Sequence, residues 1–141
     1  MHDVGKIGVP DAILLKPSRL DPDEYREIMR HPRLSAEIVD DVLSEEQVAW
    51  VLGHHERFDG RGYPGGLAGT AIPLGARILA AADAWDVMTS ERPYSAARSE
   101  HDALSEMRAE AGRQFCPTTV SALETVITGR AGARVAADAE S

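Results

Sequence analysis

Apolar residues along this chain recur at spacings of three and four, and no stretch alternates strictly as a half-buried strand would. Asp21-Pro22 reads as an N-cap followed by proline at the first helical position, and Tyr25, Ile28 and Met29 then form a short amphipathic stripe. His31-Pro32 interrupts it, because the residue before a proline is pushed away from helical geometry. A second helix is expected from Pro32, with Leu34, Ile38, Val42 and Leu43 facing inward. Ser44 caps a third, with Glu45, Glu46 and Gln47 in its first turn and Val48, Val51, Leu52 and His55 along its apolar stripe. Residues 73–90 are apolar on nearly all sides, the mark of a helix buried in the middle of a domain. Helices at about 99–111 and 117–127 follow. Residues 10–17 read as a proline-bounded loop or extended stretch, and the glycine-rich run 60–69 as a loop without periodicity. The expected fold is all-α, a helical bundle forming one domain over residues 1–128, with a flexible tail over 129–141.

Composition narrows the class. At 141 residues the chain is long enough to bury a core, and 43% hydrophobic with 27% charged residues is a globular balance. Two Phe, two Trp and three Tyr leave that core to Leu, Ile, Val, Ala and Met. A formal net charge of −8 argues against a nucleic-acid polymer or an anionic membrane as partner. No apolar run approaches the roughly 20 residues a membrane span needs, and the first residues lack a signal peptide's apolar stretch. The single cysteine, Cys116, excludes an internal disulfide and fits a cytoplasmic setting.

The chemistry concentrates in histidines and aspartates. His54-His55 closes the third helix, and adjacent helical residues point about 100° apart, so the pair could serve two metals, or one metal and a bridging group. His2-Asp3 opens the chain, followed by Gly5 and Gly8, which permit tight turns; Lys6 lies one turn past His2 and could project over the same site. His31 precedes a proline. Asp83 stands in the apolar run Ala80-Ala81-Ala82-Asp83-Ala84-Trp85-Asp86, where a desolvated carboxylate costs several kcal/mol unless paired or bound to metal. Asp86, one turn on, could orient a ligand histidine. Imidazole and carboxylate without thiolate suit iron, manganese or a mixed-ligand zinc site used for hydrolysis. In the loop, backbone N–H groups could approach an anion and Tyr63 could stack on a base.

Taken together, these segments resemble the HD-GYP family of phosphohydrolases. The match comprises His2-Asp3-Val4-Gly5-Lys6-Ile7-Gly8-Val9-Pro10, His31-Pro32 and His54-His55-Glu56-Arg57-Phe58-Asp59-Gly60-Arg61-Gly62-Tyr63-Pro64. It continues through Ala82-Asp83 and Thr89-Ser90-Glu91-Arg92-Pro93-Tyr94. The resemblance implies a helical bundle around two or three divalent metal ions, iron or manganese, and hydrolysis of cyclic di-GMP to the linear dinucleotide or GMP. By position it implies that His2, Asp3, His31, His54, His55 and Asp83 are metal ligands, with Asp3 bridging. Lys6 and Arg92 would bind phosphate, and Gly62, Tyr63 and Pro64 would form the loop beside the substrate. Lys6 and Asp3 are the expected catalytic residues, for in-line attack of an activated water on phosphorus.

Three departures from the family pattern qualify this expectation. Family members have two or more helices before the His-Asp motif, and those supply a further glutamate and histidine ligand. Here the sequence begins one residue before the motif, so a catalytically impaired ligand- or protein-binding module is the alternative reading. Ser95 replaces a frequent basic residue after Pro93-Tyr94, and Cys116 replaces the aspartate expected at a helix N-cap. Ile7, Ile78 and Leu79 are expected near an exposed apolar patch that would favour a homodimer, and sensor or receiver domains are expected upstream on a longer gene product.

Overall fold

A computed structural model describes residues 1–91 and 96–139, with side chains to residue 129. Seven α-helices follow a 3₁₀ turn at Val4–Gly8: α1 Asp11–Leu14, α2 Pro22–Ile28, α3 His31–Val39, α4 Glu45–Gly53, α5 Leu74–Thr89, α6 Glu100–Ala109 and α7 Pro117–Ala139. A second 3₁₀ turn, Gly69–Ala71, leads into α5. Among the described residues the only β feature is a bridge between Ala111 and Phe115, so the all-α expectation holds. No helix among them is long and apolar enough to cross a membrane.

Local sequence explains most helix starts. Asp21 accepts from the N–H groups of Asp23 and Glu24, while Glu24 reaches back to the Asp21 N–H, a reciprocal cap with Pro22 at the first helical position. Ser44 and Gln47 repeat the arrangement at α4. Ser99 caps α6 through the Asp102 N–H.

Three expectations are corrected. α3 begins at His31, with Pro32 in its first turn, and buries His31, Pro32, Ser35, Ala36 and Val39. Leu34 and Leu43 are half-buried, and Ile38 and Val42 are exposed. The small, polar face wins because the Val4–Gly8 turn lies directly on it. The Gly5 N–H donates to Ser35 Oγ at 2.8 Å, and a Cβ on Gly5 would stand 2.3 Å from the His31 carbonyl oxygen. Only glycine permits that approach. Second, α5 is not buried all round: Ala76 and Ala81 are buried, whereas Leu74, Ile78 and Val87 are exposed. Third, the last helix continues to Ala139 through much of the stretch read as a tail, and a short helix, α1, stands inside the segment read as a loop.

Packing runs in sequence order, from the first turn and α3 through α4 to α5, which then meets α6 and α7. An apolar cluster sits at that second end, where Ala81, Met107, Phe115 and Val120 are closed over by Ala84, Trp85, Met88, Ala111 and Leu123. Of the three residues expected near an exposed apolar patch, Ile7 is 85% exposed and Ile78 51%, whereas Leu79 is half-buried.

Candidate metal centre

Three turns and helix ends bring the histidines together. The Val4–Gly8 turn sets Asp3 and Lys6 against the start of α3, where His31 points inward. α4 ends at Gly53, so His54 and His55 occupy its C-terminal edge, and α5 carries Asp83 past them. Asp3 Oδ1 lies 3.2 Å from His31 Nε2 and 3.7 Å from His54 Nε2. The two Nε2 atoms are 3.4 Å apart, and His55 Nε2 is 3.1 Å from His31 Nε2. On the other side of Asp3, Oδ2 is 3.7 Å from His2 Nε2, which is 3.6 Å from Asp83 Oδ1. Two potential cation sites result, Asp3/His31/His54/His55 and His2/Asp3/Asp83, with Asp3 common to both.

Proton bookkeeping shows what this geometry demands. His31 Nδ1 faces the Ile28 carbonyl at 2.7 Å and His54 Nδ1 the Val51 carbonyl at 2.5 Å. A carbonyl can only accept, so each Nδ1 carries a proton and each ring turns its Nε2 inward. The two Nε2 atoms converge on Asp3 Oδ1, itself buried and without a hydrogen-bond partner. Two imidazole nitrogens and a carboxylate oxygen meeting at one point form a donor set that fits a divalent ion. Backbone carbonyls thus orient His31 and His54, the role expected of Asp86; that residue is exposed and accepts from Ser90 Oγ at 3.1 Å.

Electrostatics follow from burial. Desolvation, with His54 and His31 close by, pushes the His55 pKa down to about 3, so its ring is neutral at ordinary pH. Burial opposes charge on Asp3, but its contacts with His31, His54 and Lys6 outweigh it and hold the carboxyl well below the usual range. Lys6 Nζ lies 2.6 Å from Asp3 Oδ2, so the ammonium expected over a phosphate here meets the carboxylate. Asp83, expected to be fully buried, has a side chain about one-third exposed (32%), because its flank of α5 opens onto a cleft. That cleft, about 310 Å³, is bordered by His54, His55, Asp83, Met88, Glu110 and Phe115 among others.

The glycine-rich loop folds back over the cluster. A Cβ on Gly62 would lie 2.2 Å from the Arg57 nitrogen, so this glycine lets the loop press on the chain just after His55. The Tyr63 N–H donates to the His55 carbonyl at 3.2 Å, and the Tyr63 ring stacks on the His55 imidazole, centroids 5.0 Å apart. The sequence offered that ring to a base; the His55 imidazole takes one of its faces. Burial raises the Tyr63 pKa, so the phenol stays protonated. Pro64 follows through a cis peptide bond, and its carbonyl accepts from Arg33. Arg92 and Ser95 lie outside the described residues. Ser35 and Glu56 were missed as contributors: the first seats the Gly5 turn, the second binds the loop, and both act on backbone brought near by the fold, which no local sequence signal announces.

With this geometry in place, comparison with known proteins is decisive for family. Residues 1–119 match the HD domain family. The chain belongs to that family. This HD domain is 46% identical over 138 residues to the cyclic di-GMP phosphodiesterase response regulator RpfG of Xanthomonas campestris, covering 93% of this chain and 35% of that one. It is 39% identical over 134 residues to a cyclic di-GMP phosphodiesterase of Thermotoga maritima, covering 91% and 36%. A 3'3'-cGAMP-specific phosphodiesterase of Vibrio cholerae is 42% identical over 111 residues, covering 78% and 26%. The chain thus spans about a third of the length of these curated relatives, or less. The crystal structure of a cyclic GMP-AMP-specific phosphodiesterase from V. cholerae shares the fold of the HD domain, with TM-score 0.65 at 21% identity over 88% of this chain and 33% of that one.

Proposed function

We propose that this HD domain is a metal-dependent phosphodiesterase acting on a cyclic dinucleotide, with cyclic di-GMP as substrate and the linear dinucleotide or GMP as product. The observation that carries the reading is the convergence of His31 Nε2, His54 Nε2 and the partnerless Asp3 Oδ1, a donor set suited to a divalent cation. The relatives support the substrate class, since the two at 46% and 39% identity are named for cyclic di-GMP and the one at 42% for 3'3'-cGAMP.

On this reading His31, His54, His55 and Asp3 hold one ion and His2, Asp3 and Asp83 a second, with iron or manganese favoured by nitrogen and oxygen donors without thiolate. Bound there, such ions polarise a phosphoryl oxygen and acidify a water. The chain's residues do the rest. Asp3, common to both donor sets, would serve each site. Lys6 exchanges its contact with Asp3 for a substrate phosphate and neutralises charge developing on the phosphoryl oxygens. Arg92, by its motif, adds a second phosphate contact. Gly62, Tyr63 and Pro64 form the loop beside the substrate, with the Tyr63 ring holding His55 in place.

Protein purified anaerobically and loaded with Mn²⁺ or Fe²⁺ tests this by metal content and turnover of cyclic di-GMP against 3'3'-cGAMP. More than one ion per chain and faster cleavage of cyclic di-GMP are expected. Near-zero metal, or loaded protein without turnover, would remove the proposal. Lys6→Ala should keep the metal and lose about 10²–10³ in kcat; loss of metal from that variant would show that Lys6 has another role.

A further inference from the structure

One buried acidic side chain has no part in the proposed function. Glu56 is 5% exposed and follows His55 directly, and both of its carboxyl oxygens are taken by the glycine-rich loop. It accepts from the Gly65 N–H at 2.5 Å and from the Leu67 N–H at 3.0 Å. We infer that Glu56 is a positioning residue: by gripping Gly65 and Leu67 it holds the glycine-rich loop down and so keeps Tyr63 stacked on His55. The substrate part of this inference rests on the proposed function.

Covalent and hydrogen-bonded links connect Glu56 to the Tyr63 ring. Residues 57–67 leave and return to the same short segment, and their route is fixed at three places on it. The His55 carbonyl takes the Tyr63 N–H, the Glu56 carboxylate takes the two later amides, and the Phe58 carbonyl takes the Gly69 N–H at 2.9 Å. Four glycines lie within residues 60–66, so the loop has little intrinsic stiffness and its order must come from such ties. Both bonds are made by a buried side chain, and removing one partner of a buried hydrogen bond leaves the other desolvated and unmet. The chemistry also requires a carboxylate here. Glutamine in the same rotamer offers one acceptor oxygen and an NH₂ group, which would face an N–H donor. Alanine offers neither, and aspartate is one methylene too short to reach both amides.

The proposal predicts a local loosening that shows at the loop and at the substrate, but not in the metal. In Glu56→Gln, hydrogen exchange at the amides of Gly65 and Leu67 should speed up at least tenfold, while amides of α6 and α7 keep wild-type protection. Metal content should match wild type, and KM for cyclic di-GMP should rise about tenfold with a smaller change in kcat. Glu56→Asp should fall between the two proteins on each readout. Wild-type protection at Gly65 and Leu67 in Glu56→Gln would overturn the inference, as would an even rise in exchange across all helices. If Glu56→Gln does not fold, the same exchange readout on Glu56→Asp decides the matter. Exchange needs no turnover, so a wild-type protein inactive on cyclic di-GMP would count against the proposed function and leave the loop inference to be judged by exchange alone.

Discussion

The two ends of this bundle spend their buried volume differently. Around α6 and α7 the interior is apolar: Met107, Phe115 and Val120 close on Ala81, and that end gains from the removal of hydrocarbon from water whatever else is bound. Around the first turn, α3 and α4 the buried residues mix Val9, Ala36, Val39 and Val51 with His31, Ser35, His54 and Glu56, and two imidazole nitrogens face Asp3 Oδ1. Buried polar groups are favourable only when they are partnered. One end rests on apolar contacts. The other carries the donor set of a cation site, and a cation bound there only by the native state would stabilise it by mass action.

The largest effect should come from Asp3, the residue common to both donor sets. Asp3→Ala is expected to lose bound metal and all measurable turnover. In metal-free protein the same change should lower the melting temperature only slightly, because the contact it removes, with Lys6, is partly exposed to solvent. A large drop in the melting temperature of metal-free Asp3→Ala would erase the contrast between the two ends. Met107→Ala works at the opposite pole. Its side chain is fully buried, so truncation should cost about 2–5 kcal/mol in denaturant unfolding. Metal affinity should change little; a parallel fall in affinity would mean that the ends are coupled.

Gly5→Ala sharpens the comparison from the first turn. The added methyl would sit 2.3 Å from the His31 carbonyl oxygen and 2.4 Å from the Ser35 nitrogen, both backbone atoms that cannot step aside. A loss of about 1–3 kcal/mol is expected from the overpacking, together with weaker metal binding as Asp3 is pushed off His31. Unaltered metal titration in this variant would show that the turn is not what sets the site. The smallest effect belongs to Cys116, which immediately precedes α7 and whose Sγ lies 3.4 Å from Arg77 Nη1. Cys116→Asp should raise stability by about 1 kcal/mol, through a better N-cap and a carboxylate beside the guanidinium. An equal or lower thermal midpoint sinks the capping idea.

Much of this was legible in the chain. Helical periodicity, the caps at Asp21 and Ser44, and the absence of strand alternation set an all-α bundle, because these signals act within a turn or two of backbone. The histidine and aspartate positions pointed to one cluster, which the geometry assembles. The burial of individual faces was not legible. The α3 stripe Leu34, Ile38, Val42 and Leu43 follows the rule of apolar periodicity, yet the face bearing His31 and Ser35 is the buried one, because Gly5 brings a backbone turn against it. The apolar run of α5 cannot announce that Leu74 and Ile78 face outward. Nor does the sequence say that Lys6 rests on Asp3, that Tyr63 lies on His55, or that Glu56 grips the loop. Local chemistry fixes where helices start and which residues can carry charge or bind a cation. Which of those residues meet, and how far each is from water, depends on contacts between segments distant in sequence, and only the tertiary structure decides that.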